Sequence, residues 1–327
     1  MARSLSSLAV TAVSFMTTAT NAAVPAAKLT VPEAEEVKTT QNGIIGGPLP
    51  LPFPESIFTK TVASVQNTYC TDEYNQPGLK IGDQTLLYTH GDSESPNRAN
   101  IYHSDSLGII VAFMGTNDTN YLSELANAEE FGVLPDPALG LPPLALVLDG
   151  WQNLWSMSWN AVKASLYQAK QTYPDLPIVV TGHSEGAGIG QLAAMAIAKE
   201  FGSESISYVI TYGPPRSGNI VWADAFDSVF KGRYTGVTNG ADWVSEVPPV
   251  EMNFQHPSGM VWINPANSTN WGFYPDQEDL NGIDSRIPEF IDPETGQEYM
   301  GDHEGYYMTS WLGTYQQGPC PAQVGGY

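Results

Sequence analysis

The sequence predicts an α/β fold, a single domain whose mostly parallel central sheet is flanked by helices. Short apolar, β-rich runs alternate with helical stretches along the chain, the pattern of a sheet covered by helices. Leu107 to Phe113 is continuously apolar, as a strand buried on both faces must be. A glycine-rich turn, Gly182-His-Ser-Glu-Gly186, stands directly between a strand run and an alanine-rich helix.

The elements follow in chain order. Arg3, the apolar stretch Leu8 to Ala19 and the small residues Thr20-Asn-Ala22 have the three-part layout of a secretory signal, residues 1–22. That stretch is too short and too rich in threonine to span a bilayer, and no transmembrane segment is expected elsewhere. Residues 23–54, rich in Pro, Gly, Thr and Glu, read as a propeptide or flexible arm. The folded domain is expected over 55–327, opening with a helix on which Phe58, Val62, Val65 and Tyr69 share a face. Trp151 to Tyr173 repeats Leu154, Trp155, Ser158, Val162, Leu166 and Ala169 at three- and four-residue steps, an amphipathic helix. Pro177–Thr181 reads as a strand, Gln191–Phe201 as a helix, and Ser205–Tyr212 and Tyr234–Thr238 as two further strands.

Composition narrows the function classes. The chain has 327 residues, 42% of them hydrophobic and 15% charged, which suits a compact body. Thirteen Lys and Arg against 35 Asp and Glu leave −22, a field that repels nucleic acid and anionic membranes. Loss of residues 1–48 would remove Arg3, Lys28 and Lys38 with Glu33, Glu35 and Glu36, so the balance would stay. Two cysteines, Cys70 and Cys320, are expected to pair on a secretory route. Asn117 and Asn267 open glycosylation sequons that belong to the same route.

The chemistry centres on Ser184. A serine on a tight strand-to-helix turn needs neighbours without bulky side chains, and Gly182 and Gly186 supply them. The helix that follows aims its first N–H groups at a developing oxyanion. In this arrangement the acid and then the histidine come after the serine in the chain. Of five histidines, His256 and His303 follow the turn. Asp242, 58 residues beyond Ser184, comes just after the strand Tyr234–Thr238, and His303 is 61 residues further on. His256 lies 14 residues after Asp242, close quarters for an intervening element, and reads better as a structural hydrogen-bonding histidine. The histidines are too scattered and the cysteines too few for a metal cluster, and neither metal nor organic cofactor is expected.

These segments together resemble the fungal class 3 lipase family, the Rhizomucor-type lipases and related feruloyl esterases, over about residues 60–320. Val111-Ala-Phe-Met-Gly-Thr116 is similar to the family's V-A-F-R-G-T, and Val147-Leu-Asp-Gly-Trp151 to its V-H-x-G-F. Gly182–Gly186 is similar to G-H-S-L-G, and Tyr212-Gly-Pro-Pro-Arg-Ser-Gly-Asn219 to Y-G-x-P-R-x-G-N. Asn239–Pro249 is similar to the region of the acid, His256–Asn264 to the H-x-x-x-x-x-W-I after it, and Asp302-His303 to the terminal D-H. The resemblance implies an α/β-hydrolase fold, Ser184 as nucleophile, Asp242 as acid and His303 as base. It implies Thr116 and the N–H of Glu185 as oxyanion donors, and a Cys70–Cys320 bridge from first helix to tail. The segment after Thr116 would form a lid, with Tyr121, Leu122 and Leu125 on its apolar stripe. Further on, Phe131 to Leu148 carries apolar residues that read either as an acyl-binding rim or as core. The implied activity is hydrolysis of acylglycerols by a secreted monomer at an oil–water interface. The alternatives are a feruloyl or short-chain esterase and an inactive lipase-like binding protein. Three residues depart from the pattern: Met114 for Arg, Leu148 for His and Glu185 for Leu. The Glu185 side chain is expected to turn toward solvent or a donor.

Overall fold

The computed structural model describes residues 49–92, 98–116, 132–285, 302–308, 310–313 and 318–325. The signal segment, the arm up to residue 48, Asn117, Tyr121, Leu122, Leu125 and Phe131 lie outside the described residues.

In chain order the elements are α1 (Glu55–Thr68), β1 (Lys80–Ile81), β2 (Gln84–His90), β3 (Ala99–Ser104) and β4 (Gly108–Phe113). Then come β5 (Gly132–Val133), β6 (Val147–Leu148), α2 (Asp149–Thr172), β7 (Ile178–His183) and α3 (Glu185–Phe201). Next are β8 (Ile206–Tyr212), α4 (Ile220–Phe230), β9 (Tyr234–Asn239), β10 (Met260–Ile263) and β11 (Trp271–Tyr274). The described chain closes with β12 (Gly305–Tyr307), β13 (Ser310–Leu312) and the short α5 (Pro321–Val324).

Nine strands form one sheet in the order β1-β2-β3-β4-β7-β8-β9-β10-β11. The centre, β4 to β10 in that order, is parallel, and antiparallel strands flank it on both sides. The parallel centre agrees with the sequence reading. The antiparallel wing β1–β3 had no counterpart there, because its strands mix polar and apolar residues (Gln84, Asn100, His103) without a clean period.

Alternate residues of the central strands feed two cores, as the two-residue period of a strand requires. Ile109, Val111, Phe113, Ile178 and Val180 pack with α2, α3 and α4, through Trp151, Trp155, Leu192 and Trp222 among others. Ile110, Ala112, Val179 and Ile210 pack instead with Phe58, Val62 and Val65 of α1. Arg98, fully buried, donates from Nη1 to the Thr68 and Cys70 carbonyls and pairs through Nη2 with Asp72, tying the end of α1 to β3. Cys70, just past α1, forms a disulfide with Cys320 at the start of α5, with Cα atoms 5.9 Å apart.

One helix boundary differs from the sequence reading. Helix α3 begins at Glu185, six residues before Gln191. Its early glycines read as a turn, yet they let the helix lie close to its neighbours: Gly188 faces the Trp151 ring, and a Cβ at Gly186 would come 2.5 Å from the Met114 carbonyl oxygen. Ahead of α1, residues Leu49 and Phe53 also contact the body. Leu49 exchanges two 3.0 Å hydrogen bonds with Phe273 of β11, and Phe53 packs against Phe58 and Tyr208. Scattered apolar residues, separated by prolines, hid that contact.

The apolar segment after residue 131 divides between both readings. Leu139, Val147 and Leu148 are buried core, whereas Leu134 and Leu144 are 73% and 77% exposed. Leu148, where the resemblance expects His, is thus a packing residue.

Candidate active site

The parallel strands all end on one side of the sheet, and the residues after their C-terminal ends converge there, as in open α/β sheets generally. Ser184 follows β7 directly and has φ 58° and ψ −131°, a conformation strained for a residue with a side chain. Neighbouring glycines make the turn possible, since a Cβ at Gly182 would collide with the Gly186 carbonyl. The strain is offset by a well-bonded surround: the Ser184 N–H donates to the Tyr212 carbonyl at 2.9 Å, and its own carbonyl caps α3 by accepting from Ala187 at 2.8 Å.

Asp242 follows β9 and is completely buried. Its Oδ1 lies 2.9 Å from His303 Nδ1 and accepts from the Val244 N–H at 2.9 Å. The Tyr307 hydroxyl lies 3.2 Å from Asp242 Oδ2 and 3.0 Å from the His303 carbonyl, one proton facing two acceptors. Burial, and then the charge of Asp242, push the Tyr307 hydroxyl well above its ordinary pKa, so it stays a donor. With Nδ1 donating to Asp242, His303 presents Nε2 as an acceptor, and among the described residues nothing hydrogen-bonds that buried atom. Gly213, φ +51°, gives the pair room: a Cβ there would come 2.8 Å from both Asp242 Oδ2 and His303 Cε1.

A second layer ties three loops together. The His183 Nε2–H donates to the His303 carbonyl at 3.1 Å, which leaves Nδ1 to accept from the Tyr69 hydroxyl at 2.7 Å. Tyr69 in turn accepts the Gly115 N–H at 3.1 Å. One tyrosine of the α1 end thereby joins the loop of Thr116, the turn of Ser184 and the loop of His303. Burial holds His183 well below the usual imidazole range, with the nearby His303 acting the same way, so it remains neutral and keeps this donor–acceptor order.

The remaining expected residues fall as follows. Thr116 sits beside the turn, and its Oγ1 donates to the Glu185 carboxylate. Glu185 has turned to a donor, as expected, and is buried rather than solvated. Met114, where the resemblance expects Arg, is buried among apolar neighbours of α1 and the sheet. His256 is not part of the site: fully buried, it donates from Nε2 to the Ser245 carbonyl at 2.7 Å, and burial lowers its pKa to about 4. Asn267 is exposed in the turn between β10 and β11, where its Oδ1 accepts from the Tyr306 N–H at 2.6 Å. Tyr69, Tyr307 and Gly213 were missed by sequence reasoning. Only Gly213 carried a usable signal, a glycine placed directly after an apolar strand. Among the described residues no cluster of His, Cys, Asp or Glu could hold a metal ion, and no helix is long and apolar enough to cross a membrane.

A serine on a strained strand–helix turn, with a buried Asp–His pair whose imidazole stacks on the residue before that serine (ring centroids 4.6 Å apart), over a mostly parallel sheet, is the arrangement of the α/β-hydrolase class. Residues 110–252 match the family described as lipase (class 3). The chain is 54% identical over 278 residues to a secreted mono- and diacylglycerol lipase of Gibberella zeae, covering 85% of this chain and 87% of that one. It is 37% identical over 282 residues to a secreted mono- and diacylglycerol lipase of Malassezia globosa, covering 86% and 90%. The fold is similar to the triacylglyceride lipase of Rhizomucor miehei, with TM-score 0.62 at 22% identity over 77% of this chain and 93% of that one. Lipase II from Rhizopus niveus is similar to the same degree, with TM-score 0.64 at 22% identity over 80% and 96%. The chain belongs to the class 3 lipase family.

Proposed function

We propose that this protein is a secreted acylglycerol lipase that takes mono- and diacylglycerols, using Ser184 as nucleophile, His303 as general base and Asp242 as the acid that orients it. One observation carries the reading: the hydrogen-bonded Asp242–His303 pair is buried, and its imidazole stacks on His183, the residue before Ser184 on the strained turn. The substrate class is supported by the names of the relatives, both secreted mono- and diacylglycerol lipases.

The chemistry runs in two halves. His303 Nε2 takes the proton from Ser184 Oγ as that oxygen attacks the ester carbonyl, and Asp242 stabilises the imidazolium through Nδ1. The tetrahedral oxyanion is held by the backbone N–H groups of Thr116 and Glu185. His303 returns its proton to the departing glycerol oxygen, leaving Ser184 acylated. Water, deprotonated by the same nitrogen, then releases the fatty acid. Residues 1–22 act as the signal for export, and Asn117 and Asn267 are the carbohydrate acceptors. The protein works as a monomer at an oil–water interface.

The test is release of fatty acid from emulsified mono-, di- and triacylglycerols by wild type and by Ser184→Ala. The reading requires diacylglycerol turnover above triacylglycerol turnover and loss of both in the variant. Activity confined to feruloyl esters would replace it with an esterase, and equal activity in Ser184→Ala would end the assignment of the nucleophile.

A further inference from the structure

Glu185 has a carboxylate where the electrostatics of the reaction disfavour one. It stands directly after the proposed nucleophile, its backbone N–H opens α3 and is the proposed oxyanion donor, and its side chain is buried. A negative charge beside a developing negative charge in a poorly hydrated site raises the barrier. The side chain is nevertheless held there, with Oε2 accepting the hydroxyl proton of Thr116. A hydroxyl has one proton, and a proton given to Glu185 is unavailable to the substrate oxyanion.

We infer that Glu185 governs whether the Thr116 hydroxyl serves the oxyanion, with its carboxyl as a positioning group for that residue. This rests on the reading of Ser184 as the nucleophile. With Glu185 ionised, Thr116 Oγ1 donates to it, and the oxyanion is left with two backbone N–H groups and an adjacent charge. With Glu185 protonated, the bond reverses: the carboxylic O–H donates to Thr116 Oγ1, and the threonine proton turns to the oxyanion. No bond other than these hydrogen bonds is exchanged, and the adjacent charge is gone. The Thr116 hydroxyl thus serves the oxyanion only while the Glu185 carboxyl carries no charge.

Among the described residues, Tyr69 at the end of α1 is the ionisable group coupled to this carboxyl. Tyr69 feels the charges of both Glu304 and Glu185, which add to burial in keeping its hydroxyl protonated. His183 is neutral.

Glu185→Gln imitates the protonated carboxyl, since its amide N–H donates to Thr116 Oγ1 and it carries no charge. The measurement is kcat and KM on a soluble short-chain ester from pH 4 to 9, for wild type, Glu185→Gln, Glu185→Leu, Thr116→Val and the two double variants. One oxyanion donor is worth on the order of 10²–10³ in rate, and a hydroxyl shared with backbone donors a part of that. Glu185→Gln is therefore expected to raise kcat about tenfold at pH 8, with KM little changed. Glu185→Leu, which leaves the threonine hydroxyl free, should gain in the same direction. Either gain should shrink by at least about threefold in the Thr116→Val background, because the hydroxyl that carries it is gone. Equal kcat for wild type and both Glu185 variants at pH 8, or a gain of the same size in the Thr116→Val background, would overturn the inference. Should Glu185→Gln fold poorly, Glu185→Leu alone decides. Ser184→Ala is the separate control: if it retains activity the nucleophile is misassigned, whereas an active wild type without gain in the Glu185 variants refutes only the role of Glu185.

Discussion

Tyr69→Phe removes one oxygen from the interior and leaves the ring in place. That oxygen accepts the Gly115 N–H at 3.1 Å and donates to His183 Nδ1 at 2.7 Å, and Tyr69 is 1% exposed, so water does not readily replace it. The variant thus orphans one buried donor and one buried acceptor. Each orphan costs about 1–3 kcal/mol, and the pair about 2–6 kcal/mol. For a large domain roughly 2–4 °C of Tm accompanies each kcal/mol, so a fall of at least ~4 °C is expected. Activity should fall as well, because Gly115 precedes Thr116 and His183 precedes Ser184: freeing both loosens the oxyanion loop against the nucleophile. A loss of about tenfold in kcat corresponds to ~1.4 kcal/mol of lost transition-state stabilisation. Thermal unfolding by circular dichroism and steady-state hydrolysis of a soluble ester, made on the same preparation, read both quantities. A Tm within about 2 °C of wild type, together with unchanged kcat, would refute the view that Tyr69 joins the three loops.

Ser184→Ala, Asp242→Asn and His303→Ala should each fold and lose roughly 10³-fold or more in ester hydrolysis, while His256→Ala should lose stability and retain the chemistry. Full activity in His303→Ala would reverse that choice of histidine. Non-reducing peptide mapping should find Cys70 joined to Cys320, and alkylation of both thiols in the native, unreduced protein would exclude the bridge. Leu122→Ser with Leu125→Ser should weaken turnover of emulsified long-chain glycerides more than that of dissolved esters; a charge of −22 should make anionic interfaces poorer substrates than neutral ones, less so in salt. Equal turnover of dissolved and emulsified ester, unmoved by both substitutions, would favour an esterase. Asp284 shares Arg216 with Glu246 and Glu278, and burial, then its contact with Glu278, raises its pKa to about 8. The folded state keeps a proton that the unfolded chain has released, so stability from this group is present near pH 4 and lost as pH rises toward 8. Asp284→Asn should therefore match wild type near pH 4 and exceed it in Tm at pH 8, and parallel Tm–pH curves would refute this sign.

What the sequence made legible has a common physical character. The parallel strands β4, β7, β8 and β9 are largely buried on both faces and rich in apolar, aromatic and β-branched residues, so composition identifies them, and the turn of Ser184 is marked by steric need at Gly182 and Gly186. Asp242 and His303 were reachable because chain order constrains them. Tyr69 and Tyr307 left no such trace: an aromatic at a helix end or in a short hairpin reads as core, and packing does bury both rings. Their hydroxyls acquire meaning only when strands distant in sequence bring His183, Gly115 and Asp242 within 3.2 Å. Glu185 lies between these cases. Its identity is visible as a carboxylate in an unexpected place, but sequence could not tell solvent from a buried partner. The fold decides this by starting α3 at Glu185 itself, six residues earlier than composition suggested. The first turn of the helix then packs beneath the Met114–Thr116 loop, which puts the carboxylate within reach of the threonine hydroxyl. The glycines that concealed the start of that helix are thus the same ones that allow the approach, and the departure from the family pattern at Glu185 acquires a chemical role through them.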